Sequence, residues 1–188
     1  MSSESAKGAK GSSSAWATVY PIVVLVSICA VAGVLLGVVH QTTEPVAQAR
    51  AEQKAQEAYA QLMPEASSFE EVPCDVEGCT SALRAKDESG EDIGVVVVAQ
   101  SRGYGGQVPV AVAFDMDGEV VDTMVMSNSE TPGLGTKVAD ESYIGQYDEL
   151  TARAVTASDI DLISGATISS TAALNAFNTA VEAYLEVI

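Results

Sequence analysis

Val108 to Phe114 (VPVAVAF) and Val120 to Met126 (VVDTMVM) flank the peptide Asp115-Met116-Asp117-Gly118. Two runs rich in β-branched residues on either side of an Asp-Gly turn predict a β-hairpin, and this pairing decides the fold class. Just upstream, Ile93 to Ala99 (IGVVVVA) is a short apolar run with acids before it and Ser101, Arg102 and Gly103 after it, which predicts a third strand. Downstream, Ser170 to Ile188 places Ala173, Leu174, Phe177, Val181, Tyr184 and Leu185 at helical spacing, so one long helix has an apolar stripe to bury. Strands in sequence followed by a helix predict an α+β domain, an antiparallel sheet with helices packed on it. Residues 65 to 92 are acidic and irregular and are expected to form a loop with short strands around Leu83. Glu44 to Met63 is rich in Ala, Gln and Glu, carries Ala51, Ala55, Tyr59 and Leu62 on one face, and is expected to be a helix that Pro64 ends.

The chain of 188 residues has room for one ordinary domain and an appendage. From Gly11 to Val39 there is no charged residue, and Ala17 to Val39 is almost wholly apolar. A helix needs about 20 apolar residues to cross a bilayer core, so this run predicts a membrane span. Pro21 would fall in its first turn, and Trp16 and Tyr20 at the headgroup level. A cleaved signal peptide is the competing reading, but its apolar core is commonly only about 7 to 15 residues. Lys7 and Lys10 precede the run, a bias that keeps the N-terminus cytoplasmic and places the rest outside. That remainder carries seven Lys and Arg against 25 Asp and Glu, a formal charge of −18. Phosphate backbones and anionic headgroups would repel it, which excludes nucleic acid as a partner and leaves proteins and small molecules. Cys29 would sit in the apolar run. Cys74 and Cys79 share the outer domain as a disulfide pair or as free thiols, without the further thiols or histidines a metal site needs; the only histidine, His40, stands at the membrane edge.

Three glycine- and hydroxyl-rich pieces stand at the ends of these elements. Ser164-Gly165-Ala166-Thr167-Ile168-Ser169-Ser170-Thr171 opens the last helix, where unpaired N–H groups and the helix dipole favour a phosphate. A plain N-cap explains the same residue types. Ser129-Glu130-Thr131-Pro132-Gly133-Leu134-Gly135-Thr136-Lys137 follows the hairpin; its glycines allow close backbone approach to a ligand, and Pro132-Gly133 reads as a tight turn. Gly103-Tyr104-Gly105-Gly106 adds a flexible segment with one aromatic ring. Neither a Ser-His-Asp set nor a dinucleotide fingerprint is present, so no complete catalytic machinery is expected.

Asp161-Leu162-Ile163-Ser164-Gly165-Ala166-Thr167 resembles the flavinylation motif Asp-x-x-Ser/Thr-Gly-Ala-Thr of the FMN-binding domain family. Glu130 to Gly135 resembles that family's Glu-Thr-Pro-Gly-Leu-Gly segment, and Gly103 to Gly106 its Gly-Tyr-x-Gly pattern. The resemblance implies FMN bonded through its phosphate to the Thr167 hydroxyl. It further implies contacts from Glu130, Thr131, Gly133, Leu134 and Gly135 to the flavin, phosphate hydrogen bonds from Ser169 and Ser170, and charge balance from Lys137. Asp161, Ser164, Gly165 and Ala166 would be read by a flavin transferase, the maturation partner. The layout is most similar to the G subunits of Rnf complexes, which pass electrons between ferredoxin and NAD while pumping ions. A redox subunit working with other membrane subunits is therefore implied, rather than a complete enzyme. The C subunits of sodium-pumping NADH:quinone reductases and other flavinylated respiratory domains share the motifs, and a non-redox anchored binding domain is the alternative from another class. The expected organisation is a cytoplasmic tail over 1–16, a transmembrane helix over 17–39, a membrane-proximal helix over 40–64 and an FMN-binding domain over 65–188.

Overall fold

The structure, a computed structural model, describes residues 13–148 and 150–188, with the side chains of the first helix described at 19–35, at 37 and from Glu52 onward. The chain divides into two units, Met1–Gln53 and Lys54–Ile188. In the first, helix α1 (Ser13–Leu62) begins, and its apolar side chains from Val19 to Leu35 are exposed. Among the described residues no helix is long and apolar enough to cross a membrane. Lys7, Lys10 and the side chain of Trp16, on which the topology and anchor readings draw, lie outside the described residues.

The second unit is a five-stranded antiparallel meander in the order β1 (Ser68–Val72), β2 (Cys79–Lys86), β3 (Asp92–Arg102), β4 (Gln107–Asp115), β5 (Val120–Val125). The predicted hairpin is β4–β5, with Val112 opposite Thr123. Its turn forms because the Asp115 carboxylate accepts the N–H groups of Asp117 at 2.9 Å and Glu119 at 2.8 Å, while Gly118 takes φ 84°. The strand expected around Leu83 is β2, and the rest of the stretch, expected to be loop, also supplies β1 paired to it. Lys86 on β2 reaches Glu70 on β1 at 2.6 Å, so the acids that made the segment read as irregular form part of its cross-strand pairing.

The unbroken apolar run of β3 is explained by helices on both faces of the sheet. Val95, Val97 and Ala99, with Val108, Val110, Val112 and Phe114 of β4, face helix α3 (Thr167–Val187); Val96 and Val98, with Ala111 and Ala113, face Tyr59, Leu62 and Met63 at the end of α1. The α1 side is lined by small residues, and Gly94 lies directly against Met63, where a Cβ would meet its Cε at 2.6 Å. On the α3 side Phe114 stacks on Tyr184 with ring centroids 4.6 Å apart, and the Tyr184 hydroxyl donates to the Asp115 carbonyl at 3.0 Å. Each fully buried side chain of this size contributes about 1.5–3 kcal/mol. Arg84 of β2 donates to the Val187 carbonyl at 2.8 Å, a cation at the negative end of the α3 dipole. The Phe114–Tyr184 stack and the Arg84 bond thus fix the axis of α3 on its face of the sheet, and with it the position of its first turn.

Candidate functional site

Between β5 and α3 the chain runs through a short 3₁₀ turn (Gly135–Ala139), helix α2 (Glu141–Ile144) and a long loop. Two amide side chains hold that loop. Gln146 accepts the Asp161 N–H at 2.7 Å and donates to the Asp161 carbonyl at 3.4 Å; Asn178 of α3 does the same to Val155, at 2.7 and 2.8 Å. Tyr143 adds a third tie by donating to the Ser170 carbonyl at 2.7 Å. Since its one proton is used there, the 2.8 Å contact with Tyr147 has Tyr147 as donor. Burial holds both phenols protonated well above the usual tyrosine range. The sequence does not single out these four side chains, because Gln, Asn and Tyr inside loops and helices carry no spacing signal.

The segment so held ends in the turn Ile163 to Ala166, closed by a 3.0 Å bond from the Ala166 N–H to the Ile163 carbonyl, with Gly165 at φ 82°. Helix α3 starts at Thr167 after Ala166, and no side chain caps it. The N–H groups of Thr167, Ile168 and Ser169 are first-turn amides without an intrahelical acceptor. Thr167 itself is exposed. Across from it, Thr131 to Leu134 forms the predicted turn: the Leu134 N–H meets the Thr131 carbonyl at 3.1 Å, Gly133 takes φ 75°, and the Thr136 hydroxyl accepts the Gly133 N–H at 2.9 Å.

All three motifs meet at Glu130. Its side chain is buried, 4% exposed; one oxygen accepts the Gly105 N–H at 2.9 Å and the other the Ser169 hydroxyl at 2.7 Å. A Cβ on Gly103 or Gly135 would run into this carboxylate, and one on Gly105 into the Ser129 carbonyl and Glu130 Cα. Gly103 and Gly135 therefore leave room for the Glu130 carboxylate and Gly105 for the Ser129 carbonyl, and Gly133 faces open space. Ser170 is fully buried with its hydroxyl on the Ala166 carbonyl at 2.9 Å. The hydroxyl protons of Ser169 and Ser170 are thus committed inside the protein, and the donors open to a phosphate are the backbone amides of the first turn.

Above this floor lies a cleft of about 320 Å³ lined by Tyr104, Glu130, Thr131, Leu134, Thr167 and Ile168 among others. Its size is at the lower end for small-molecule sites. Tyr104, Leu134 and Ile168 are 74%, 44% and 57% exposed, three large apolar side chains left in water around one opening. Apolar walls, uncapped helix amides and a free hydroxyl suit a flat aromatic ring carrying a phosphate, so the residues fit FMN. Ser164, Gly165 and Asp161 are exposed beside it, Ala166 is buried under the turn, and Lys137 is exposed but does not line the cleft.

A larger cleft, about 480 Å³, lies between β1 and β2 and contains Glu71, Asp75, Cys74 and Cys79. With carboxylates and no cation it offers nothing to a phosphate. Cys74 and Cys79 are free thiols, and burial, with the neighbouring Cys74 thiol, pushes Cys79 up to about 12. The thiolate is the reactive form, so folded Cys79 presents far less of it than a free cysteine does at the same pH. Iodoacetamide should label Cys79 slowly in the folded chain and readily after unfolding without reductant; mass spectrometry showing fast labelling of the folded form would contradict this environment.

The FMN-binding domain family matches residues 103–182, the stretch that contains every wall of the smaller cleft. Fold and site together define a flavin-binding domain. Among known proteins, the G subunit of the proton-translocating ferredoxin:NAD(+) oxidoreductase complex of Clostridium ljungdahlii is 32% identical over 161 residues, covering 82% of this chain and 84% of that one. The G subunit of the ion-translocating oxidoreductase complex of Methanosarcina acetivorans is 33% identical over 171 residues, covering 86% and 91%. A crystal structure of the Na(+)-translocating NADH-quinone reductase C component from Parabacteroides distasonis aligns over 71% of this chain and 82% of its own, with 17% identity and a TM-score of 0.48. The chain belongs to the family of G subunits of ion-translocating oxidoreductase complexes.

Proposed function

We propose that this chain is the flavin-carrying electron-transfer subunit of an Rnf-type ferredoxin:NAD oxidoreductase complex, with FMN held by a phosphoester at Thr167 Oγ. The observation that carries the reading is the exposed Thr167 hydroxyl at the uncapped start of α3, in one cleft with Thr131 and Leu134. Bound there, FMN supplies one- and two-electron redox chemistry. The protein's part is to bind and orient it. The first-turn amides and the dipole of α3 receive the phosphate. Leu134, Ile168 and Tyr104 give the ring apolar contact, and Thr131 shapes the opposite wall. Ser164, Gly165 and Asp161 stand exposed on the clamped loop, as a flavin transferase that reads the motif requires. An ester keeps the flavin in place outside the cytoplasm, where a lost FMN could not be replaced.

The exposed apolar side chains from Val19 to Leu35 support a membrane anchor over 17–39. With Lys7 and Lys10 on the cytoplasmic side, residues 40–188 lie outside, the flavin domain occupying 65–188. Its partners are the other membrane subunits of the complex, in which ion movement takes place.

Protein made together with a flavin transferase should run as a band that fluoresces under ultraviolet light after denaturing electrophoresis. Its intact mass should exceed the polypeptide by one FMN less one water. A dark band of bare mass, with the transferase shown to be active on another substrate, would exclude the covalent flavin.

A further inference from the structure

Glu130 is the one carboxylate in the wall of the flavin cleft, and its setting is unusual for a charge. It is 4% exposed, and its two oxygens are hydrogen-bonded to the Gly105 N–H and the Ser169 hydroxyl. Neither donor is a cation. Among the described residues the ion pairs use Arg84 and Lys86, and no Lys or Arg side chain pairs with Glu130. What holds it is the Gly105 N–H, the Ser169 hydroxyl and its place beside the first turn of α3, whose dipole favours an anion. Two glycines make room for it, since a Cβ at 103 or 135 would strike the carboxylate. A side chain present only to fill space would not need charge, and a buried charge is costly unless hydrogen-bonded.

Resting on the flavin reading above, we infer that Glu130 sets the reduction potential of the bound flavin, as a fixed negative charge in the cleft wall that disfavours electron gain. Because the carboxylate itself is buried, its charge is screened less by solvent and acts on its neighbours more strongly than an exposed one would. The Ser169 hydroxyl draws part of that charge toward itself, so it moderates the effect. Two substitutions therefore act in opposite directions. Glu130→Gln keeps the size of the side chain, leaves an amide oxygen for the Gly105 N–H and an N–H for Ser169 Oγ, and removes the charge. Ser169→Ala keeps the charge and removes its donor.

The test uses the full chain loaded by a flavin transferase, with intact mass read first and the midpoint potential then measured by spectroelectrochemical titration. Glu130→Gln should shift the potential upward, and Ser169→Ala downward. Glu130→Asp, which keeps the charge, should stay nearer the wild type than Glu130→Gln does. An unchanged potential in loaded Glu130→Gln, or shifts of the same sign in Glu130→Gln and Ser169→Ala, would overturn the inference. Should Glu130→Gln fail to load or fold, Ser169→Ala decides alone: a downward shift supports the charge, and no shift or an upward one refutes it. A wild type that carries no FMN fails the functional reading itself, a different result that the mass separates before any potential is measured.

Discussion

Thr167→Val should give a folded chain of bare polypeptide mass, colourless and unable to pass electrons, under conditions in which the wild type gains one FMN less one water. The substitution keeps the β-branched shape and removes only the oxygen that would form the P–O bond. Loss of a helix cap would ordinarily cost about 0.5–2 kcal/mol, but the cap position is Ala166 and no side-chain cap bond exists at α3. The change is at an exposed position, so stability should move by less than about 0.5 kcal/mol. The two serines of the same helical turn offer no substitute: the hydroxyl of Ser169 is bound to Glu130 and that of Ser170 to the Ala166 carbonyl, both in the interior. Intact mass spectrometry and a urea titration, run on both proteins, check the two halves of this expectation. An adduct of FMN mass on the variant, mapped to Ser164 or Ser169, would move the acceptor elsewhere.

Gly135→Ala should damage the site far more than Gly133→Ala, although the two glycines sit two residues apart in one motif. At 135 a Cβ would strike the Glu130 carboxylate and lie 2.9 Å from Ser169 Oγ and 3.0 Å from Glu130 Cβ, so the bond joining the motifs must break or the 3₁₀ turn must shift. Overpacking of this kind costs about 1–3 kcal/mol. At 133 a Cβ meets nothing within 4 Å, and the cost is only that of a side chain at φ 75°, about 1–2 kcal/mol. Stability alone therefore separates them weakly. The flavin should separate them clearly: its visible absorption and potential should change in Gly135→Ala and stay near wild type in Gly133→Ala. Equal spectra in the two variants would show that the Glu130–Ser169 contact does not shape the cleft.

Strand β3 and the β4–β5 hairpin are legible in the sequence because β-branched runs and an Asp-Gly turn are local signals, and α3 because its apolar stripe repeats at helical spacing. Strand β2 is legible only as a short strand around Leu83, and β1 is not legible, since Glu70 and Glu71 mask strand character until cross-strand pairs form. In the site, Pro132-Gly133 and the start of α3 are legible, whereas Gly135, which suggests ligand approach in sequence, and Gly103 and Gly105, which read only as a flexible segment, pack against Ser129 and Glu130 in the fold. A glycine in sequence reports that something comes close, not what comes. Here it is Glu130, about 25–30 residues away from two of them, and that distance in the chain carries no spacing rule. The amide clamps of Gln146 and Asn178 are invisible for the same reason.

The meander order of the sheet has a consequence for how the protein matures. Every strand pairs with its neighbour in the chain, so each step of sheet formation closes a short loop, which is quick and entropically cheap. The flavin cleft has no such local route, because its walls come from Tyr104, Thr131 and Thr167, stretches of chain that meet only when α3 lies down on the finished sheet. The hydroxyl acceptor therefore acquires its surroundings only once α3 is docked on the sheet. A transferase that requires those surroundings would modify only chains that have completed folding, and the yellow colour of a preparation would then count native molecules rather than total ones.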